Sequence, residues 1–461
     1  MPPPPRPREK SSGRRGPDPK DAPRHAGRTK PGLAARGAAL DLLRLIRNGR
    51  SLDDALSACR SFSELEGSDR AFARHLATTA CRFQGRLDAL VEGYMARPLK
   101  PEQTELRAIL RLTAAQLVLL DTPPHAAAST AVDLSRERRQ TAGFSKLVNA
   151  VSRRISETGK EKFEELSLRL DTPGWLWRRL ERTYGPQRTK AIALAHAEEA
   201  PLDITVPDAD KRAALAEALE ATPIGPHTLR RPASGGRIDA LPDFAEGTWW
   251  VQDVAATLPA RLAGADLTGK SVYDLCAAPG GKTLQLAAAG AQVTAVDISG
   301  PRVARLEENL ARTGLNAHIV VTDLLDWAPP GPADIVLLDA PCSATGTIRR
   351  NPDLLWSKRE SEIDLLTSLQ DRMINKALSL VKPGGMLIYA TCSLLPQEGE
   401  ERIAAALSRH TDLSVIPAEA DELGGLDVVT KDGFIRTTPA LLKEQGGMDG
   451  FFAARLKKSE I

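Results

Sequence analysis

The sequence lacks the features that define several protein classes. It holds five cysteines, from Cys59 to Cys392, with no Cys-x-x-Cys pair. Neither a metal site nor a disulfide framework is therefore expected, and reduced thiols in a cytoplasmic protein are indicated. No apolar run reaches the roughly 18 residues that a membrane span needs, and no signal peptide is recognisable. Aromatic residues make up only 4% of the chain, so aliphatic side chains must fill the cores.

Two nucleotide-binding fingerprints are also incomplete. Residues 272–283 open as an apolar strand, turn at Pro279-Gly280-Gly281 and continue as a helix, which is how α/β folds build a cofactor pocket. A phosphate loop that ends in Gly281-Lys282-Thr283 needs a glycine where this chain has Cys276, so an ATPase is not favoured. The dinucleotide fingerprint of three spaced glycines is absent as well.

The length of 461 residues predicts two or three domains rather than one. The start is basic, proline-rich and poor in hydrophobic residues, which predicts disorder. Contact with RNA phosphates and a merely solvated tail both fit that composition. The predicted organisation is a disordered tail (1–31), a helical bundle (32–158), a charged linker (159–170), a small α/β module (171–245) and a Rossmann-like α/β domain (246–461).

The α/β domain alternates strand and helix patterns, which is typical of a doubly wound sheet with a parallel core. Strands are predicted at 271–276, 292–297, 317–322, 333–339 and 385–391, with a final hairpin from 413–418 and 450–457. Helices are predicted at 281–289, 300–313, 359–380 and 397–410. In the small module, strands are predicted at 202–207, 228–231 and 237–240.

Carboxylates at two predicted strand ends point to the kind of cofactor. Asp297 ends a strand about 20 residues after the glycine loop, where an acid can bind ribose hydroxyls. Asp323 follows the next strand and could reach an adenine edge. An adenosine-type cofactor without a long phosphate tail fits this set, and S-adenosyl-L-methionine is such a cofactor. The alternative is that Asp297 only caps the helix after it.

Two thiols follow two further strands. Asp339-Ala340-Pro341-Cys342 ends one strand and Thr391-Cys392-Ser393 ends the next. Because ligands bind at the carboxyl ends of parallel strands, both thiols and the Asp339 carboxylate are expected to share one cleft with the cofactor. The alternative is that each cysteine is a small buried hydrophobic residue.

Together these residues resemble the motif set of RNA cytosine-5 methyltransferases. The helical region, with 95–98 and 123–127, is similar to the NusB-like domain of the bacterial branch that modifies small-subunit rRNA. The residues that carry the main resemblance are 250–253, 274–283, Asp297, Asp323, 339–343, 346–353, 391–393 and 449–452. Two departures concern RNA contacts: the expected Arg-x-Asn is missing after 202–206, and Ala255 and Ala256 replace small hydroxyl residues.

The resemblance implies a role for each motif residue. Cys392 is the implied nucleophile, Cys342 aids product release, and Asp339 and Lys282 contact the cytosine; the residues alone do not order the two thiols. The substrate implied is small-subunit rRNA, and the alternatives are tRNA, another rRNA site, or a non-catalytic RNA-binding factor of the antitermination type. The implied S-adenosyl-L-methionine site consists of Cys276, Ala277, Ala278, Pro279, Gly280, Gly281, Lys282, Asp297, Asp323 and Asp339.

Overall fold

A computed structural model describes residues 32–232 and 237–460. The predicted disordered tail, 1–31, lies outside the described residues. No helix of the described part is long and apolar enough to cross a membrane.

The helical bundle predicted for the N-terminal part of the chain is confirmed. Apolar residues at helical spacing, among them Leu42, Leu76 and Ile109, are at most 1% exposed and form one core. The helices of this region are α1 (Leu33–Arg47), α2 (Leu52–Ala58), α3 (Arg60–Ser63), α4 (Gly67–Arg82), α5 (Gln84–Gly93), α6 (Thr104–Val118), α7 (Pro124–Glu137) and α8 (Ser145–Glu165).

The prediction of a linker over 159–170 is wrong for most of that segment. Helix α8 continues to Glu165, and a short 3-10 helix follows at Leu168–Asp171. The buried residues Ile155, Gly159 and Phe163 recur every four positions and face the bundle core. Charged residues on the opposite face of the helix account for the linker-like composition.

A small antiparallel sheet follows the long helix α9 (Gly174–Ala197), which is interrupted at Gly185. Its strand order is β2-β3-β1-β4. Two predictions fail here. Residues 237–240 do not form a strand but contain the 3-10 helix Ile238–Ala240. The predicted end of the small module at residue 245 is also too early, because β4 (Trp250–Val251) pairs with β1 (Leu202–Thr205). The elements are β1 (Leu202–Thr205), α10 (Arg212–Ala218), β2 (Thr222–Ile224), β3 (Thr228–Arg231) and β4 (Trp250–Val251).

The large sheet has the strand order β10-β12-β9-β8-β5-β6-β7, with β11 also paired to β12. Strands β9, β8, β5, β6 and β7 are parallel, whereas β12 runs antiparallel to β9 and β10. The predicted parallel core and final antiparallel pair are therefore confirmed. The elements are α11 (Val254–Arg261), β5 (Ser271–Leu275), α12 (Gly281–Ala288), β6 (Gln292–Asp297), α13 (Gly300–Thr313), β7 (His318–Val321), β8 (Ala333–Asp339), α14 (Leu354–Ser357), α15 (Ile363–Ser379), β9 (Val381–Thr391), α16 (Glu400–Arg409), β10 (Leu413–Ile416), β11 (Ile435–Arg436) and β12 (Phe452–Lys458).

Polar contacts join the three parts of the chain. The Trp356 indole N–H on α14 donates to the carbonyl of Cys81 at the end of α4, 2.9 Å away. In the small sheet, the Arg230 guanidinium bonds both carboxylate oxygens of Asp203 at 2.7 Å, and Asp203 also accepts from the amide of Val254 on α11. Asp203 is fully buried, so this pair fixes the small sheet against the large domain.

Candidate active site

The glycine loop between β5 and α12 turns sharply beneath the sheet edge. Cys276 has a φ of 62° and Gly280 a φ of 109°, so both lie in the left-handed region, which favours glycine. A Cβ on Gly280 would lie 2.3 Å from the Leu306 side chain, and one on Gly281 would lie 3.1 Å from the Gln252 amide carbon. Gly280 is therefore needed for both space and conformation, whereas Gly281 is restricted by space alone.

Asp297, at the end of β6, ties this loop to the next turn. It is 4% exposed and accepts hydrogen bonds from the amide of Ala278, at 3.0 Å, and of Ser299, at 2.9 Å. The second bond lies directly before α13, so the carboxylate also takes part in that helix's entry turn. Asp323, after β7, is half-buried and accepts from the amide of Leu325 at 2.9 Å.

Asp274 lies under the loop, near the end of β5. It is fully buried, and Thr283 on α12 donates to its Oδ2. Its other oxygen, Oδ1, has no hydrogen-bond partner among the described residues. Burial raises the pKa of Asp274 to about 7, because the ionised form loses its hydration.

The strand ends bring the predicted reactive residues together. Asp339 on β8 is paired in register with Ala390 on β9, and a thiol lies two or three residues beyond each. The sulfurs of Cys342 and Cys392 are 3.5 Å apart. Lys282 Nζ donates to Asp339 Oδ2 at 2.7 Å. We call Lys282, Asp339, Cys342 and Cys392 the cysteine cluster.

The charges of this cluster depend on one another. Burial alone would lower the pKa of Lys282, but the charge and hydrogen bond of Asp339 outweigh it and raise the pKa above its ordinary value. The hydrogen bond to Cys392, together with burial, raises the pKa of Cys342 well above that of an ordinary thiol. Lys282 and Cys342 therefore both keep their protons at neutral pH. Burial likewise raises the pKa of Cys276, which stays a thiol.

The sequence did not single out the carboxylate that joins the two cysteine loops. Glu398, in the short helix Pro396–Glu398, is fully buried and accepts hydrogen bonds from both Ser343 and Ser393. Its position six residues after Cys392, in a Pro-Gln-Glu-Gly turn, gives no sign of this role. Only the tertiary structure brings the two serines to it.

A second buried group connects three of the motif segments. Arg349 bonds Asp253 and Asp449, each at 2.7 Å, and Arg350 bonds the same two carboxylates at 2.6 and 3.1 Å. We call Asp253, Arg349, Arg350 and Asp449 the ion-pair cluster. It holds the segments before α11, after β8 and before β12 together on the side of the sheet that carries the cysteines.

The residues present fit S-adenosyl-L-methionine. The cofactor carries a sulfonium and an ammonium. Three carboxylates, those of Asp274, Asp297 and Asp339, accept hydrogen bonds from the glycine loop or the first turn of α12, and Asp323 follows the neighbouring strand β7. Asp274 Oδ1, an orphaned buried acceptor beneath the loop, fits a cationic ligand at this site. No group of three His, Cys, Asp or Glu side chains in residues 32–232 and 237–460 is arranged to hold a metal ion.

A mixed sheet with a parallel core, carboxylates at its strand ends and a glycine loop after β5 is the architecture of a Rossmann-like S-adenosyl-L-methionine-dependent methyltransferase. The comparisons with known proteins identify the branch of this class. Residues 265–457 match the model of the family "16S rRNA methyltransferase RsmB/F", and residues 33–157 match that of the NusB family.

Curated relatives match along most of the chain. The ribosomal RNA small subunit methyltransferase B of Cronobacter sakazakii is 34% identical over 91% of this chain and 97% of its own length. The probable enzyme of the same name from Synechocystis is 33% identical over 93% of this chain and 100% of its own. The crystal structure of PH0851 covers 93% of this chain and 99% of its own, with 25% identity and a TM-score of 0.73. The chain belongs to the RsmB/F family of 16S rRNA methyltransferases, and S-adenosyl-L-methionine is its cofactor.

Proposed function

We propose that this chain methylates C5 of a cytosine in small-subunit rRNA, with Cys392 as the nucleophile. The observation that carries the proposal is the pair of thiols, 3.5 Å apart, beside the Lys282–Asp339 ion pair. Cytosine C5 is a weak nucleophile, but a thiolate added at C6 turns the ring into an enamine whose C5 can attack a methyl group. A cleft with two thiols, a cation and a carboxylate supplies the groups that this reaction needs.

The charges favour Cys392 over Cys342 as the attacking thiol. Cys342 is held as a neutral thiol and can donate its proton in a hydrogen bond to the other sulfur. The Lys282 ammonium lies within electrostatic range of the Cys392 side chain. An ammonium next to a sulfur stabilises the thiolate, which is the reactive form.

The reaction proceeds in two stages. The Cys392 thiolate bonds to C6 of the cytosine, and C5 then takes the methyl group, whose bond to the S-adenosyl-L-methionine sulfur would break with its electron pair kept by that sulfur. The C5 proton then passes to water, its bonding electrons re-form the C5–C6 double bond, and the C6–sulfur bond breaks with its electron pair returning to Cys392. Asp339, whose side chain is 29% exposed, can accept a hydrogen bond from the cytosine amino group. The target base must be unstacked to enter the cleft, so an unpaired or flexible RNA segment is expected.

The substrate assignment rests on the names of the curated relatives and on the NusB-family match of the helical domain. The cysteine cluster itself does not distinguish one RNA from another. A cytosine in tRNA or at another rRNA site is the alternative within the same chemistry. A non-catalytic RNA-binding factor is the alternative outside it.

Bisulfite sequencing of total RNA tests the function. A strain that lacks this protein should lose one 5-methylcytosine from small-subunit rRNA, and the wild-type chain should restore it while Cys392→Ala should not. Loss in tRNA alone would contradict the substrate assignment. Unchanged methylation in every RNA, with no binding of S-adenosyl-L-methionine by the purified chain, would favour the binding-factor alternative.

A further inference from the structure

Glu398 is a buried carboxylate whose partners are neutral. Both oxygens are fully enclosed, and no Lys or Arg of the described chain forms an ion pair with it. The donors to Oε1 are the Ser343 amide, at 2.8 Å, and the Gln370 side chain, at 3.1 Å. The donors to Oε2 are the hydroxyls of Ser343 and Ser393, each at 2.5 Å. Four donors fill the accepting capacity of a carboxylate, and a neutral amide could not accept all four.

These bonds reach both cysteine loops from one point. Ser343 directly follows Cys342, and Ser393 directly follows Cys392, so each thiol lies one residue from a group held by Glu398. Gln370, on α15, also donates to the carbonyl of Pro341 at 2.9 Å, on the other side of Cys342. Both loops are thus fixed relative to a single carboxylate.

The backbone of Glu398 adds two further anchors. Its carbonyl accepts from the Tyr389 hydroxyl, at 2.9 Å, and from the Thr391 hydroxyl, at 3.3 Å. Both residues lie at the end of β9, directly before Cys392. A buried charge without a cation is costly to a fold. Here the charge bonds the serines that follow Cys342 and Cys392, whose sulfurs lie 3.5 Å apart, and such a cost has a use if it fixes that spacing.

We propose that Glu398 is a positioning residue that sets the spacing of the Cys342 and Cys392 sulfurs, and that release of the methylated base depends on that spacing. The claim about release rests on the proposed function. In release, the C5 proton passes to water, its bonding electrons form the C5–C6 double bond, and the C6–sulfur electron pair returns to Cys392. The Cys342 thiol, held at hydrogen-bonding distance, stabilises the departing thiolate. The negative charge of Glu398 also contributes to keeping Cys342 protonated.

The spacing can be measured without RNA. Diamide oxidises two neighbouring thiols to a disulfide, each thiol losing one proton and one electron while diamide is reduced to the hydrazine. A disulfide has a sulfur–sulfur distance of about 2.05 Å, so sulfurs at 3.5 Å need only a small movement. The Cys342–Cys392 disulfide is followed by peptide mass spectrometry in the full chain and in its Glu398→Ala, Glu398→Gln and Ser393→Ala variants.

We expect disulfide formation to be at least about tenfold slower in Glu398→Ala than in the wild-type chain, with Glu398→Gln in between. Glutamine has the same shape, and the serine hydroxyls can turn to accept from its amide, so part of the bridge is restored. The matched control is Glu401→Gln, which removes a carboxylate from an exposed position three residues away and should react at the wild-type rate. Equal rates in Glu398→Ala and the wild-type chain would overturn the proposal.

Release is tested with small-subunit rRNA purified from a strain that lacks the gene. Glu398→Ala should accumulate a covalent protein–RNA adduct on a denaturing gel although Cys342 is intact, whereas a merely structural loss would reduce adduct and product together. Ser393→Ala removes one of the hydrogen bonds to Glu398 and keeps the carboxylate, so it tests the proposal if Glu398→Ala does not fold. It should show slower disulfide formation and more covalent adduct, each to a smaller degree than Glu398→Ala. Wild-type behaviour of Ser393→Ala would count against the proposal.

The two experiments separate this proposal from the proposed function. Slower disulfide formation together with no methylation by the wild-type chain would leave the spacing role in place and remove the cytosine chemistry. Normal methylation and normal disulfide formation in the Glu398 variants would remove the spacing role alone.

Discussion

The ion-pair cluster and the cysteine cluster both hold charged side chains at the same end of the sheet, but they differ in how completely those charges are paired and buried. In the ion-pair cluster each carboxylate bonds two guanidinium groups, and Asp253, Arg349 and Asp449 are at most 7% exposed. In the cysteine cluster, Lys282 is the one side-chain partner of Asp339 within the described part of the chain, and the Asp339 side chain is 29% exposed. A group with all its partners in place holds segments together, whereas a group with accepting capacity to spare can bind a substrate.

This comparison predicts that the two clusters fail in different ways when they are mutated. Changes in the cysteine cluster should alter chemistry and leave folding nearly intact. Changes in the ion-pair cluster should alter folding and leave the chemistry of the folded fraction nearly intact.

The largest expected effect is that of Cys392→Ala. Removal of the nucleophile should lower the methylation rate by at least about ten-thousandfold, the scale seen when a covalent nucleophile is deleted. Incorporation of a labelled methyl group into small-subunit rRNA measures the rate, and urea unfolding checks that stability is unchanged. A variant that keeps one tenth of the wild-type rate would contradict the assignment of Cys392.

Arg349→Met should produce the next largest effect, on stability. It leaves the two buried carboxylates with the partly exposed Arg350 as their one cationic partner among the described residues, which should cost about 3–5 kcal/mol. The unfolding midpoint in urea measures this loss, and the methylation rate per folded molecule should stay near that of the wild-type chain. Unchanged stability of Arg349→Met together with a lower methylation rate would contradict a structural role for the ion-pair cluster.

Lys282→Met should have an intermediate effect on chemistry. Loss of the ammonium removes the charge that stabilises a thiolate at Cys392 and leaves Asp339 unpaired, so the rate should fall by about a hundredfold. The methylation assay at saturating S-adenosyl-L-methionine measures it. Lys282→Arg is the matched control because it keeps the charge and should retain more activity than Lys282→Met; the reverse order would be inconsistent with a role for the charge.

The smallest effect concerns the pH dependence of stability. Because burial raises the pKa of Asp274 to about 7, the folded chain keeps a proton that the unfolded chain releases near the ordinary aspartate pKa of about 4. The stability from this residue is therefore complete below about pH 4 and is lost as the pH rises towards 7. Urea midpoints between pH 5 and 8 should fall less in Asp274→Asn than in the wild-type chain, and equal slopes would exclude this contribution.

Much of the sheet and of its reactive edge could be predicted from the sequence. Strands β6 and β8 and helix α13 have the predicted bounds, because buried apolar runs and amphipathic spacing are strong local signals. Since parallel strands end at one edge, the pairing of Cys342 with Cys392 also followed from the order of the strands. The specific roles proposed for these residues remain predictions.

The features that could not be predicted depend on contacts between distant segments. The bridge at Glu398 needs Ser343, 55 positions away, and the ion-pair cluster joins residues up to 196 positions apart. Local patterns carry no information about such partners. The failed linker prediction over 159–170 has a different cause. The end of α8 has many charged residues and few apolar ones, so its composition resembles that of a linker although the segment is helical.

The most direct test of the account is to find which sulfur bonds the cytosine. Small-subunit rRNA from a strain that lacks the gene is incubated with S-adenosyl-L-methionine and the Cys342→Ala variant, in which release should be blocked. Mass spectrometry of the digested adduct should find a methylated cytosine nucleotide bound to the peptide that contains Cys392, and Cys392→Ala should form no adduct. An adduct on Cys342 in the Cys392→Ala variant, with none in Cys342→Ala, would contradict the account.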